Sequence, residues 1–197
     1  MVDRIDMTWN VDYWDGLARI KNYNGVCWGF HTKEQFYGFT EPVEDLKPYM
    51  KFLDFGCGPG RIVKTVAPHV QTYVGVDVSE GLLEMAREHH KSYSNVSFVK
   101  CNGTDLSCFE DNTFDYIYER LVFIHVPKEG IVKYIKEFFR VLRPGGFLYI
   151  PDLPKEEACT NGFTMAEMEM FRDFGSVNVS AIGYDNNPGV YMVKCVK

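Results

Sequence analysis

From Met50 onward, short apolar runs alternate with segments of helical period, which points to a mostly parallel sheet with helices packed on both faces. FLDFG reads as the first strand, followed by a short helix from about Gly60 that Pro68 ends. TYVGVDV is the second strand, VSFVKC the third, FDYIYERL the fourth and GFLYIPD the fifth. Ser79 is placed to cap a helix carrying Leu82, Leu83 and Ala86. Ile131, Ile135, Phe138 and Leu142 recur at helical spacing until Pro144, Gly145 and Gly146 stop that helix. A helix near Met165 to Phe174 then precedes SVNVSAIGY and VYMVKCV. The turn-rich DNNPG joins this last pair so tightly that the two strands must run antiparallel.

The first 48 residues differ in character. Trp9, Tyr13, Trp14, Tyr23, Trp28, Phe30, Phe36, Tyr37 and Phe39 crowd a stretch with no strand period, expected to form short helices and loops. A chain of 197 residues is long enough for one substantial core and short for two. The expected organisation is a single domain over 1–197, with 1–48 a helical and aromatic cap and 49–197 an α/β core. No internal repeat, low-complexity segment or linker interrupts it.

Composition narrows the function classes. No apolar run approaches the roughly 20 residues of a membrane span, and MVDRIDMTWN lacks the basic start, apolar core and cleavage site of a secretory signal, so a soluble, cytoplasmic protein with no membrane partner is expected. Six cysteines without CxxC spacing indicate neither a zinc site nor a disulfide framework, and no other metal cluster is visible. A net charge of −6 argues against nucleic acid as a partner, leaving a small molecule, or secondarily a protein, as substrate. Oligomeric state is not legible.

The densest chemistry lies in Asp54-Phe55-Gly56-Cys57-Gly58-Pro59-Gly60-Arg61, between the first strand and its helix. Glycines there permit a tight turn and put no side chain between backbone and ligand. Asp77 ends the second strand close to the 20-residue spacing at which an acid reaches ribose hydroxyls in nucleotide-binding folds. Its alternative role is to cap the next helix, which Ser79 can already do. A dinucleotide fingerprint starting at Gly56 needs glycine where Arg61 stands, so the loop fits GxGxG better than GxGxxG.

With these residues in view, DFGCGPG and VGVDVS resemble the first and second motifs of the class I S-adenosylmethionine-dependent methyltransferases. NGTDLSCFEDNTFDYIYERLVFIHVP looks like that family's adenine loop and fourth strand, and FFRVLRPGGFLYI like its following helix, turn and fifth strand, so the resemblance spans about residues 50 to 150. It implies a Rossmann-like, doubly wound, mostly parallel seven-stranded sheet with an antiparallel terminal strand. The terminal pair of strands meets that expectation independently.

The resemblance also assigns roles. Gly56, Gly58 and Gly60 would approach S-adenosylmethionine, Asp54 would hold its amino acid portion and Asp77 its ribose. Asn102 stands where the family often has Asp at the adenine amino group, with Gly103 and Val78 at the adenine edge and face; the alternatives are a turn for Gly103 and strand continuation for Val78. Glu119, on the cofactor side, and Arg120, on the substrate side, occupy the methyl-transfer region; the alternatives are that their side chains are solvated or paired with each other. His125 in FIHVP is the catalytic candidate, as a substrate-facing base or as a structural histidine bonded to backbone. Tyr13, Trp14 and His31 are expected on a lid formed by residues 9 to 39, whose alternative role is core packing. His89 and His90, late in a helix, are expected to face solvent.

The expected reaction is methyl transfer to an unidentified acceptor, most simply a small molecule, with S-adenosylhomocysteine as product. The competing functions are an NAD-dependent oxidoreductase and a noncatalytic nucleotide-binding interaction protein.

Overall fold

The computed structural model describes residues 8–20, 42–156, 162–184 and 187–197. His31, Cys27, Cys159 and most of the expected lid lie outside the described residues. The chain divides into two compact units, one spanning Asp6–Gly103 and the other containing Thr104–Lys197.

The first unit holds helix α1 (Thr8–Ile20), strand β1 (Lys51–Phe55), a single helical turn α2 (Val63–Val66), β2 (Thr72–Asp77), α3 (Glu80–His89) and β3 (Val96–Lys100). β1 pairs in parallel with β2, and β2 with β3. Phe52, Leu53, Tyr73 and Val76 are fully buried, as expected of strands covered on both faces. The short helix expected after Gly60 is confined to α2, because Pro68 removes a backbone donor and the chain continues as a 3-10 turn at Ala67–His69. The Asn95 amide donates to the Ala67 and Val70 carbonyls at 2.9 and 3.1 Å and closes that turn.

The second unit holds β4 (Phe114–Glu119), α4 (Lys128–Val141), β5 (Leu142–Pro154), β6 (Ser176–Tyr184) and β7 (Asn187–Val196). β4 and β5 are parallel, while β7 runs antiparallel to both β5 and β6. Ile131, Tyr134, Ile135, Phe138 and Val141 form the buried stripe of α4, following the 3.6-residue period. The described strands run in the order β3-β2-β1 in the first unit and β4-β5-β7-β6 in the second. The expected α/β fold is therefore found, with the final strand antiparallel.

Two local expectations need correction. Leu142 opens β5 instead of closing α4, and Pro144, Gly145 and Gly146 lie within the strand. The last residue of the chain explains this: Lys197 donates its N–H to the Gly146 carbonyl at 3.0 Å and accepts the Gly145 N–H at 2.7 Å. That long-range pairing turns a local stop signal into strand, with a register irregularity between Phe114 and Tyr116 absorbing the mismatch. The helix expected near Met165 is a 3-10 helix, Met165–Phe171. It begins with a capping box in which Thr164 and Glu167 satisfy each other's backbone donors.

Candidate functional site

In the first unit, β1 runs directly into the glycine loop. Gly56, Gly58 and Gly60 have φ of 68°, 52° and 81°, a region that residues with a Cβ avoid. Gly56 and Cys57 donate their N–H groups to the Val76 carbonyl at 2.8 and 3.0 Å, which lays the loop against β2. Gly58 is buried, and among the described residues the atom an added Cβ there would approach is the Leu82 Cδ1, at 4.0 Å. Gly75 does the converse work beneath the loop: an added Cβ there would come within 2.8 Å of the Cys57 Sγ. Burial pushes the Cys57 thiol well above its ordinary pKa, making it a packing group instead of a nucleophile.

Asp77 joins loop and strand. Its Oδ2 accepts the Gly58 N–H at 2.8 Å and its Oδ1 accepts the Ser79 N–H at 2.9 Å. The carboxylate is buried, and desolvation raises its pKa although the Ser79, Gly58 and Val78 N–H groups and the Arg61 charge oppose the shift. Three N–H groups thus occupy most of the roughly four acceptor directions of the carboxylate. Ser79, not Asp77, caps α3, accepting the Leu82 N–H at 3.2 Å.

Asp54 is also buried, and it accepts a hydrogen bond from the Tyr73 hydroxyl. Desolvation, then the Asp54 charge, hold that phenol protonated far above its usual range. Val78 is half-buried after Asp77, and the Cys101 N–H donates to the Asp77 carbonyl at 2.9 Å, bringing the next two residues alongside. There Asn102 is exposed and Gly103 is buried with φ 77°. The structure thus brings Asp54, Gly56, Gly58, Gly60, Asp77, Val78, Asn102 and Gly103 together within one unit.

Tyr13 and Trp14 lie on α1 with their rings edge-on at 5.0 Å, Tyr13 exposed and Trp14 half-buried. Their helix packs on α3. The Asp15 Oδ1 accepts the Ser79 hydroxyl at 2.5 Å and the Gly81 N–H at 3.2 Å.

Glu119, Arg120 and His125 belong to the other unit, at the end of β4. Glu119 is fully buried, and its Oε1 accepts the Val122 and Phe123 N–H groups at 2.8 and 3.0 Å. Arg120 is buried as well, so neither side chain is the solvated group of the alternative reading. Between them and the 3-10 turn Phe123–His125, Leu121 has φ 60° and donates its N–H to the Asp152 Oδ2 at 2.8 Å. Asp152 was not singled out in the sequence, since a lone acid after an apolar strand carries no spacing signal. His125 is half-buried, and burial lowers its pKa, so the neutral imidazole predominates at pH 7.

His90 is buried, against the solvent exposure that its helical position predicts. It is 2% exposed, and its imidazole bonds to the Pro59 and Gly60 backbones. An added Cβ at Gly60 would sit 2.8 Å from its Cδ2, so Gly60 is needed for this packing as well as for its φ. Its place as C-cap of α3, where the chain turns back toward the loop, is the feature that position along a helix does not reveal. His89 is exposed as expected.

Among the described residues no group of His, Cys, Asp and Glu is arranged to hold a metal, and no helix is long and apolar enough to cross a membrane.

Residues 52–146 match the family model of a methyltransferase domain. Phosphoethanolamine N-methyltransferase of Triticum aestivum is 31% identical over 125 residues, covering 63% of this chain and 24% of that protein. Demethylmenaquinone methyltransferase of Staphylococcus aureus is 37% identical over 102 residues, covering 50% of this chain and 41% of the relative. The chain therefore spans well under half the length of these curated relatives. Among solved structures, Haemonchus contortus phosphoethanolamine N-methyltransferase 1, in complex with phosphoethanolamine and S-adenosylhomocysteine, superimposes with a TM-score of 0.71 at 12% identity, covering 99% of this chain and 50% of that one; at this identity the likeness is one of fold. Residues 52–146 thus match a methyltransferase domain, and together the likenesses support a class I S-adenosylmethionine-dependent methyltransferase.

Proposed function

We propose that this protein is an enzyme that transfers the methyl group of S-adenosylmethionine to a small-molecule acceptor. The observation that carries the reading is the buried Asp77 carboxylate, held by the Gly58 and Ser79 N–H groups beside three glycines of positive φ. The residues fit the cofactor. The glycine at 58 puts no side chain between the loop backbone and a ligand, and the buried Asp77 carboxylate is a hydrogen-bond acceptor suited to a ribose hydroxyl. Arg61 in place of a third fingerprint glycine weighs against a dinucleotide.

When bound, S-adenosylmethionine supplies an electrophilic sulfonium methyl group, leaving S-adenosylhomocysteine after transfer. Asp77 binds the ribose, the loop backbone at Gly56, Gly58 and Gly60 lines the site, and Asp54, oriented by Tyr73, receives the amino acid portion. Asn102, Gly103 and Val78 take the adenine. The neutral imidazole of His125 is a proton acceptor for nucleophiles that carry a proton, with Glu119 fixing the turn on which it sits. Tyr13 and Trp14 cover the acceptor and exclude water. The small-molecule acceptor is favoured by the named activities of the curated relatives and by the net charge of −6. A single domain with residues 1–48 as its cap is part of this reading.

Calorimetric titration with S-adenosylhomocysteine and, separately, NADH tests the cofactor. Tight binding of the first and none of the second is expected; the reverse would make the protein an oxidoreductase.

A further inference from the structure

The β2-to-α3 turn that presents Asp77 is also the landing place of α1. The Ser79 backbone N–H goes to the Asp77 Oδ1, while its hydroxyl donates to the Asp15 Oδ1 and accepts from the Leu82 N–H. Asp15 takes the Gly81 N–H as well, so one carboxylate from α1 bonds both the N-cap of α3 and a donor in its first turn. The helices meet closely at this point: an added Cβ at Gly81 would stand 2.8 Å from the Ala18 Cβ.

A chain of contacts therefore runs from Asp15 through Ser79 to Asp77 and on to Gly58. The hydrogen bond from Ser79, more than any other contact, holds the Asp15 carboxyl below its ordinary pKa, so it is ionised at neutral pH. Helix capping alone does not require it. Ser79 already satisfies Leu82, and Gly81 N–H at the first turn of α3 is a donor that solvent ordinarily serves.

We propose that Asp15 is a positioning residue for Asp77: by fixing the Ser79 hydroxyl and the Gly81 N–H it sets the turn from which Asp77 reaches ribose hydroxyls. Docking of α1 and binding of the nucleoside are then energetically linked, and the linkage is reciprocal. The proposal rests on the cofactor reading and extends it to a residue outside the motif-bearing segment.

The test is calorimetric titration of the full chain with S-adenosylhomocysteine and with its 2′,3′-dideoxy counterpart. Asp15→Ala is expected to weaken binding of the first by about three- to tenfold while leaving the second unchanged, which narrows the preference for ribose hydroxyls. Asp15→Asn, which keeps an oxygen acceptor for Ser79 and Gly81, should recover most of that preference. Gly81→Val, which pushes α1 away without removing a carboxylate, provides the independent case if Asp15→Ala does not fold, and should show the same selective loss. An unchanged preference in these variants, or an equal loss for both ligands, overturns the role. If wild type binds both ligands equally, the ribose assignment of Asp77 fails and this proposal with it.

Discussion

The Asp77 carboxylate accepts the Gly58 N–H at 2.8 Å, tying the end of one strand to the turn that follows its neighbour. The bond makes the loop and the acid one unit, so disturbing either should disturb nucleoside binding.

Gly58→Val is expected to abolish most binding of S-adenosylhomocysteine. A branched residue at φ 52° strains the backbone and places methyl groups toward Leu82 at a buried position of the loop. Titration calorimetry alongside near-ultraviolet circular dichroism checks this. Wild-type affinity in a folded variant would remove the loop from the site.

Asp77→Ala should weaken cofactor binding roughly 10- to 100-fold, since hydrogen bonds to a charged group contribute about 1.5–3 kcal/mol and 1.4 kcal/mol is tenfold. Asp77→Asn should cost less. Burial raises the pKa of this carboxyl, so the binding form is lost on acidification earlier than for an ordinary aspartate. Affinity in wild type should fall as pH drops toward the raised value, and a pH titration of the dissociation constant measures it.

His90 gives a pH signature of stability. Burial lowers its pKa below 6.5, so in acid the unfolded chain takes up the proton more readily than the folded one. Stability from the neutral ring is complete above pH 6.5 and is lost as pH falls from there toward the folded pKa. His125 is lowered in the same direction and adds to the effect. Thermal melts between pH 7.5 and 5 should show a drop in Tm that shrinks in His90→Phe; an identical drop in that variant would contradict the assignment.

Arg140 anchors the segment after Gly103. It donates to Glu137 through Nε at 2.8 Å, to Asp111 and to the Leu106 and Phe109 carbonyls, while Glu137 accepts the Leu106 N–H at 2.9 Å. Arg140→Met should cost about 1–3 kcal/mol in denaturant unfolding by leaving these acceptors unpaired. A loss below 0.5 kcal/mol would mean that solvent replaces the guanidinium.

Most of the fold was legible because its signals are local: strand runs such as FLDFG, the Ser79 cap, and a terminal pair too closely joined to be parallel. The glycine loop and Asp77 were legible for the same reason, since turn geometry demands residue type at fixed spacing. What escaped depends on contacts distant in sequence. Gly145 and Gly146 signal a helix stop, and pairing with Lys197 makes them strand. His90 looks solvent-facing on its helix until the loop at Gly60 closes over it. Asp15 and Asp152 each bond a backbone N–H far along the chain, Gly81 and Leu121, and no motif announces them.

Methyl transfer is read out by incubating the protein with methyl-labelled S-adenosylmethionine and fractionated cell extract and identifying the labelled product. Label is expected in a small-molecule fraction, reduced at subsaturating cofactor by Asp77→Ala. Tight binding of S-adenosylhomocysteine with no label transferred to any fraction would contradict it and leave a nucleotide-binding protein without catalysis.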